Sequence, residues 1–259
     1  MTQAAERAEP VPGDAFGDLL RECWAAGGGL RTVREVLERD DGLLVHADAG
    51  NYFTPVEMWP DVDRELLNRV RGPVLDVGCG AGRVLHALRE RGVEALGIDT
   101  SPGAVRMCRD RGLRAEQASV DDLGSLTETF DTIIMTGNGL GLLQSRERGP
   151  AVLRELARVA NPGAVILGTS IDPVHLGGPE DPYRRRQASR GLLPGQWRMR
   201  VRHGDSATEW FDYVFLSVDD LSELVAASPW TVRGIHQGAS TYLAELAWEG
   251  PGTESRSAG

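Results

Sequence analysis

Hydrophobic and polar positions along this chain follow two different patterns, which meet near Pro73. Beyond it, apolar runs of strand length alternate with stretches of helical spacing. "PVLDVG" reads as a buried strand, "AGRVLHALRERG" as a helix closed by glycine, "VEALGID" as a second strand, and "SPGAVRMCRDRG" as a helix opened by Ser101 and Pro102. "AEQAS" is a weak third strand and "FDTIIM" a strong fourth, and "GPAVLRELARVANPG" supplies a helix before the fifth strand, "AVILGTS". This alternation predicts an α/β fold, a mostly parallel sheet with helices on both faces. Ligands of such sheets sit beyond the carboxyl ends of the strands.

Before Pro73 the pattern is less regular. "MTQAAERAEPVP" is small and polar and is expected to fray. Phe16 to Ala26 and Leu30 to Arg39 have apolar spacings that predict short helices, separated by Gly27 to Gly29. "LLVHADAGNYFTPVEMWPD" mixes aromatic residues with turn formers and reads as an irregular lid. A second irregular stretch begins at Asp172. It contains "QWRMRVRHGDSATEWFDYVFL", in which Trp197, Met199 and Val201 alternate with Arg198, Arg200 and Arg202 before an HGDS turn, the signature of a hairpin. The expected organisation is therefore a helical and irregular cap over 1–70, a core over 71–171, a covering insertion over 172–216, the end of the core over 217–249, and a disordered tail over 250–259.

Length and composition narrow the function. A chain of 259 residues supports one substantial α/β core without requiring a second domain. The formal charge of −10 argues against nucleic acid as a partner, because phosphate backbones are met by concentrated positive charge. All 28 basic residues are arginine, so lysine Schiff-base chemistry and a phosphate-binding Walker lysine are both excluded. Cys23, Cys79 and Cys108 are odd in number and far apart, which predicts neither a disulfide framework nor a cysteine zinc site. No basic stretch followed by an apolar run opens the chain, and no segment holds eighteen uninterrupted apolar residues; a cytoplasmic monomer or homodimer without membrane contact is expected.

The most informative stretch is "VLDVGCGAGR". Asp76 closes the first strand, and Gly78, Gly80 and Gly82 make the turn into the first helix, so backbone can approach a ligand with no Cβ in the way. Asp99 closes the second strand, where a carboxylate can accept two ribose hydroxyl hydrogen bonds. A dinucleotide fingerprint, G-x-G-x-x-G, would carry its third glycine where this chain has Arg83, and a pyrophosphate would sit badly beside Asp76. Adenosine joined to a cationic, amino-acid-like end fits better. A nicotinamide-dependent oxidoreductase remains the alternative of another class, and a catalytically silent cofactor-binding regulator a third.

These residues resemble the class I S-adenosylmethionine-dependent methyltransferases, of the type acting on small molecules. "VLDVGCGAGR" is similar to that family's first cofactor motif and "GIDTS" to the acidic motif after the second strand. The resemblance implies a Rossmann-like seven-stranded sheet in which "TVRGIHQ" and "STYLAELAW" are the last two strands, the final one antiparallel, plus an N-terminal lid and a small inserted hairpin. It further implies S-adenosylmethionine as cofactor, with Gly78, Cys79, Gly80 and Gly82 along its methionine side, Asp76 near its ammonium, and Asp99 with Thr100 at its ribose. Relatives carry an acidic residue near the adenine where this chain has Ser119, so Asp121 or a backbone group stands in for it, with Ser119 and Val120 as further cofactor contacts.

Candidate acceptor-side residues lie in the irregular parts. Gly137, a candidate cofactor contact, and Asn138, a candidate catalytic residue, follow the fourth strand in "TGNGLGLL", where an amide can donate and accept. His175 follows the fifth strand and is a candidate general base. Tyr52, Phe53 and Trp59 could stabilise a methylsulfonium charge. Arg184 and Arg198 could meet an anionic group on the substrate, or could simply be solvated and paired with Asp212 or Glu209. The carboxylates and histidines show no metal-ligand spacing.

Overall fold

The structure, a computed structural model, describes residues 9–176, 181–248 and 250. The fraying expected at the very start and the disordered tail fall, but for residues 9–12 and 250, outside the described residues.

The core is a seven-stranded sheet in the order Thr231–Gln237, Thr241–Ala247, Ala160–Ile171, Phe130–Met135, Val74–Val77, Ala95–Asp99, Ala115–Gln117. Neighbours from Ala160–Ile171 to Ala115–Gln117 run parallel, whereas Thr241–Ala247 pairs antiparallel with both of its neighbours. The first strand, Val74–Val77, is buried at every position, as a central parallel strand covered on both faces must be. From it the chain winds outward through Ala95–Asp99 and Ala115–Gln117, then returns to Phe130–Met135 on its other side. That reversal opens a crevice beyond the ends of the two central strands.

The helices form where the capping chemistry allows. Arg83–Glu90 starts from Gly82 in the left-handed conformation (φ +77°). Pro102–Asp110 starts from Ser101, whose hydroxyl accepts from the Ala104 amide at 3.0 Å. Val218–Ala226 starts from a capping box made by Ser217 and Asp220.

The two irregular regions form one body. Strands Val11–Pro12, Ser206–Ala207, Gln196–His203, Arg34–Arg39 and Leu44–Asp48 lie in one sheet, and Phe211–Val214 pairs with Gln196–His203 as the expected hairpin. The N-terminal segment and the insertion are thus a single cap over the crevice. The helix expected over Leu30 to Arg39 is instead a strand, Arg34–Arg39, which hairpins through Asp40 to Gly42 (φ +85° at Gly42) and pairs with Gln196–His203 on its other edge. Its alternation was hard to see because the buried positions carry Glu35 and Arg39. Residues 43–61 contain the strand Leu44–Asp48 and two 3₁₀ turns, Ala49–Phe53 and Val56–Met58.

The cap helix Ala15–Ala25 packs on Pro102–Asp110 through a point contact of two glycines. A Cβ on Gly17 would lie 2.7 Å from the Cα of Gly103. Asp14 locks the contact: its carboxylate caps its own helix by accepting from the Gly17 amide (3.0 Å) and also accepts from the Ser101 hydroxyl and the Gly103 amide, both at 2.7 Å.

Candidate active site

A cavity of about 150 Å³ opens in the crevice. Core residues Asp76 to Ala81, Arg83 and Val84 form one wall, Thr136, Gly137, Gly139 and Leu142 another, and Tyr52 and Tyr213 of the cap close it. Its volume is small beside the roughly 300–1,000 Å³ of ordinary small-molecule sites; Tyr52 stands against Gly80 and Tyr213 against Gly141.

The loop has the geometry its sequence requires. Gly78 and Gly80 have φ of +71° and +52°, and a Cβ on Gly80 would stand 3.5 Å from the Tyr52 ring. Gly82 has a different role: its Cβ would point away from the cavity, 2.6 Å from Leu113 and 2.9 Å from the Cys108 sulfur, so this glycine serves the packing of the turn on the helix Pro102–Asp110. It is not part of the cavity wall.

Asp76 is the anomaly of the site. It is buried, and its Oδ2 has no hydrogen-bond partner. Burial pushes its carboxyl up to about 7, against the opposing pull of Arg83. A buried acceptor left without a donor is costly unless a ligand supplies one. Arg83 does not, because its guanidinium is engaged by Asp63 at 2.6 Å and lies 4.6 Å over the Trp59 ring.

Asp99 joins the loop to the second strand. Its oxygens accept from the Gly80 and Ser101 amides, each at 2.9 Å. Burial raises its pKa, and these two bonds oppose the rise. A carboxylate has about four lone-pair sites, so two remain for hydroxyl donors. Thr100 holds Gln117 through its carbonyl at 3.1 Å. Ser119 and Asp122 form an isolated bridge beyond the third strand, with Val120 buried between them. Asp121 is held by Gln144 (3.1 Å) and Arg148 (2.5 Å). Asp99, Thr100, Ser119, Val120 and Asp121 all lie outside the cavity wall, Asp99 reaching it through its bond to the Gly80 amide.

Several acceptor-side candidates have other duties. The Asn138 side chain accepts from the Ile171 amide (2.7 Å) and the Ser170 hydroxyl (3.2 Å) and donates to the Val214 carbonyl (3.4 Å), so it ties two strands, Ala160–Ile171 and Phe211–Val214, to the loop after Phe130–Met135. It is buried and absent from the cavity wall. His175 is exposed on a 3₁₀ turn and is likewise absent from the wall. Trp59 is a core residue whose indole donates to the Thr54 carbonyl. Phe53 packs with Trp24 and against the cap helix. Arg198 is half-exposed and pairs with Asp212 at 3.5 Å, Arg200 pairs with Glu38 and Glu9, and Arg202 with Glu38. Arg184 lies on the helix Pro182–Ser189, outside the wall. Of the acceptor-side side chains expected from sequence, Tyr52 alone lines the cavity.

Three residues were missed. Glu35 is buried and accepts the Tyr52 hydroxyl at 3.0 Å. Tyr213 lines the cavity and donates to the Asn138 carbonyl at 2.7 Å. Asp14 fixes the cap. Alternation in "FDYVF" could have found Tyr213, and an acid ahead of the helix could have marked Asp14 as its N-cap; the bonds of Asp14 to Ser101 and Gly103 and of Glu35 to Tyr52 are distant in sequence and leave no local signal. Among the described residues no group of three histidines, cysteines or acids is placed to hold a metal, and no helix is long and apolar enough to cross a membrane.

Comparison with known proteins agrees with this geometry. The family model described as a methyltransferase domain matches residues 74–163. The cypemycin N-terminal methyltransferase of a Streptomyces species is 34% identical over 44% of this chain and 47% of its own length, so the match spans about half of that relative. The malonyl-[acyl-carrier protein] O-methyltransferase of Salmonella typhimurium is 27% identical over 67% of this chain and 70% of its own. A Bacteroides fragilis S-adenosylmethionine-dependent methyltransferase, solved with S-adenosyl-L-homocysteine, superposes with a TM-score of 0.77 at 26% identity, covering 92% of this chain and 96% of that one. That superposition extends beyond the sheet over most of the chain, and with the methyltransferase domain matched over residues 74–163 it gives this chain the fold of the class I S-adenosylmethionine-dependent methyltransferases.

Proposed function

We propose that the chain binds S-adenosylmethionine and transfers its methyl group to a small-molecule acceptor. The observation that carries this reading is the unpartnered, buried Oδ2 of Asp76 beside a bare glycine loop. It suits an ammonium donor, and a pyrophosphate there would meet a negative charge instead. In this reading Asp76 takes the ammonium of the cofactor, Gly78 and Gly80 admit its chain, and Asp99 takes the ribose hydroxyls. The cofactor supplies an electrophilic methyl on a positively charged sulfur. The protein's part is alignment and exclusion of water: Tyr52 and Tyr213 close over the cavity, and a held attack geometry contributes several kcal/mol.

A small acceptor is favoured by the covering cap and by the net charge of −10, which repels nucleic acid. The relatives' names include an N-terminal methyltransferase and an O-methyltransferase. A cytoplasmic setting accords with three buried free thiols. Calorimetry with S-adenosylhomocysteine and with NAD tests the reading. One-to-one binding of the sulfur compound without binding of NAD is expected, and the reverse would return the chain to the oxidoreductase alternative. A silent regulator would bind the same compound yet leave S-adenosylmethionine unconsumed with every acceptor offered.

A further inference from the structure

The wall of the cavity is rich in acceptors and short of side-chain donors. Tyr52 spends its hydroxyl proton on Glu35 at 3.0 Å, and Tyr213 spends its own on the Asn138 carbonyl at 2.7 Å. Each phenol oxygen therefore keeps only lone pairs for a ligand. Asp76 offers another bare oxygen, and the one guanidinium in the wall, Arg83, is committed to Asp63. Thr136 and Cys79 can turn either way. A ligand that satisfies this surface brings N–H donors and positive charge, and two aromatic rings are at hand to receive it.

Resting on the cofactor reading above, we propose that the acceptor is an amine whose ammonium form is recognised by Tyr52 and Tyr213, with Glu35 behind Tyr52 as the countercharge. Asp76 is already assigned to the cofactor, which leaves Glu35 as the carboxylate on the cap side of the cavity. Burial raises Glu35 above the ordinary carboxylate range, and the bond from Tyr52 opposes the rise. Burial and the neighbouring Glu35 keep Tyr52 protonated, and burial holds Tyr213 up at about 12. A bound cation is the ligand that would stabilise Glu35 in its ionised form.

The same pair gives the surplus proton a destination. An ammonium nitrogen has no lone pair. One proton passes to the Tyr52 oxygen as the Tyr52 proton passes to Glu35, leaving a neutral amine, a neutral phenol and a carboxylic acid. The amine then forms its bond to the methyl carbon as the carbon–sulfur bond breaks, and sulfur keeps that electron pair.

The test compares S-adenosylhomocysteine with sinefungin, in which an amine-bearing carbon replaces the methyl-bearing sulfur, by calorimetry on the intact chain. The wild-type chain is expected to bind sinefungin about tenfold more tightly, the scale of a charge-assisted hydrogen bond. In Tyr52→Phe and in Glu35→Gln this preference, taken as the ratio of the two affinities measured on the same variant, is expected to fall below about threefold. A wild-type chain without the preference, or a Tyr52→Phe chain that keeps it, overturns the proposal even if Glu35→Gln fails to fold, and so does consumption of S-adenosylmethionine with small alcohols but not with the matching amines, which would assign the preference to recognition of the methylsulfonium. A wild-type chain that binds neither compound contradicts the cofactor reading itself.

Discussion

The core and the cap of this protein solve the same problem, covering a sheet, with opposite kinds of residue. In the core, Leu75 and Val77 are buried among Leu96, Ile133 and Ile166 on one face and Val74 among Leu66, Leu88 and Ile134 on the other, with few polar side chains between them. In the cap, the buried positions include Glu35, Arg39 and Arg200. Arg39 lies 3.8 Å from the Tyr183 ring centre and pairs with Asp41 at 2.8 Å; Arg200 lies 4.4 Å from that of Trp210 and pairs with Glu38 at 2.7 Å. A core built on the hydrophobic effect is non-directional and strong. A cap held by directional polar contacts has more to lose from a single broken partner, and less apolar area holding it shut.

The sharpest way to separate the two is to damage each at its hinge point. Asp99→Ala removes the acceptor for the Gly80 and Ser101 amides as well as the proposed ribose contact, and is expected to weaken S-adenosylhomocysteine by roughly 10- to 100-fold in a chain that still folds. An unchanged affinity by calorimetry would reject the ribose assignment. Gly17→Ala attacks the cap instead, since its Cβ would meet the Gly103 backbone at 2.7 Å. A loss of about 2 kcal/mol is expected in urea unfolding, with faster proteolysis within the cap than within the core. Asp14→Ala removes the cap of the same helix and its bonds to Ser101 and Gly103, for an expected loss of about 1–2 kcal/mol. His175→Ala should do least: less than about 0.5 kcal/mol in stability and no effect on transfer, because the side chain is exposed and outside the cavity wall.

Protonation of Asp76 gives a further contrast, between stability and binding. Its carboxyl is raised from 3.8 to about 7 in the folded chain, so between these values the native state holds a proton the unfolded chain has released. Its contribution is therefore destabilising at pH above about 7 and is relieved as pH falls toward 4. An ammonium ligand needs the ionised form, so affinity for S-adenosylhomocysteine should weaken as pH drops below 7 while the ligand-free chain gains stability from this group. Comparison with Asp76→Asn isolates the effect: the asparagine variant should lose this part of the pH dependence of melting, and a variant that keeps all of it would rule out Asp76 as its source.

The same division explains what could be read from sequence. Core strands and helices, the Asp76 glycine turn and Asp99 were legible because each depends on neighbours in the chain: a buried parallel strand is continuously apolar, and a turn approached by a ligand must be glycine. The cap was misread where burial is polar. In "REVLER" the side chains at Glu35 and Arg39 point inward, which erased the alternation that would mark a strand. His175 and Asn138 were assigned by their place after strands. The chain directs one to solvent and uses every polar atom of the other's side chain as a brace. Glu35 gained its importance from Tyr52, seventeen residues away, through a contact made only when the cap sheet forms.

The most direct test of this account is a crystal structure of the chain with S-adenosylhomocysteine. The account expects the ligand's ammonium within about 3.2 Å of the Asp76 Oδ2, and its ribose hydroxyls on Asp99, with Tyr52 and Tyr213 closing over the sulfur. A ligand bound with Asp76 Oδ2 still lacking a donor, or with its ribose away from Asp99, would contradict it.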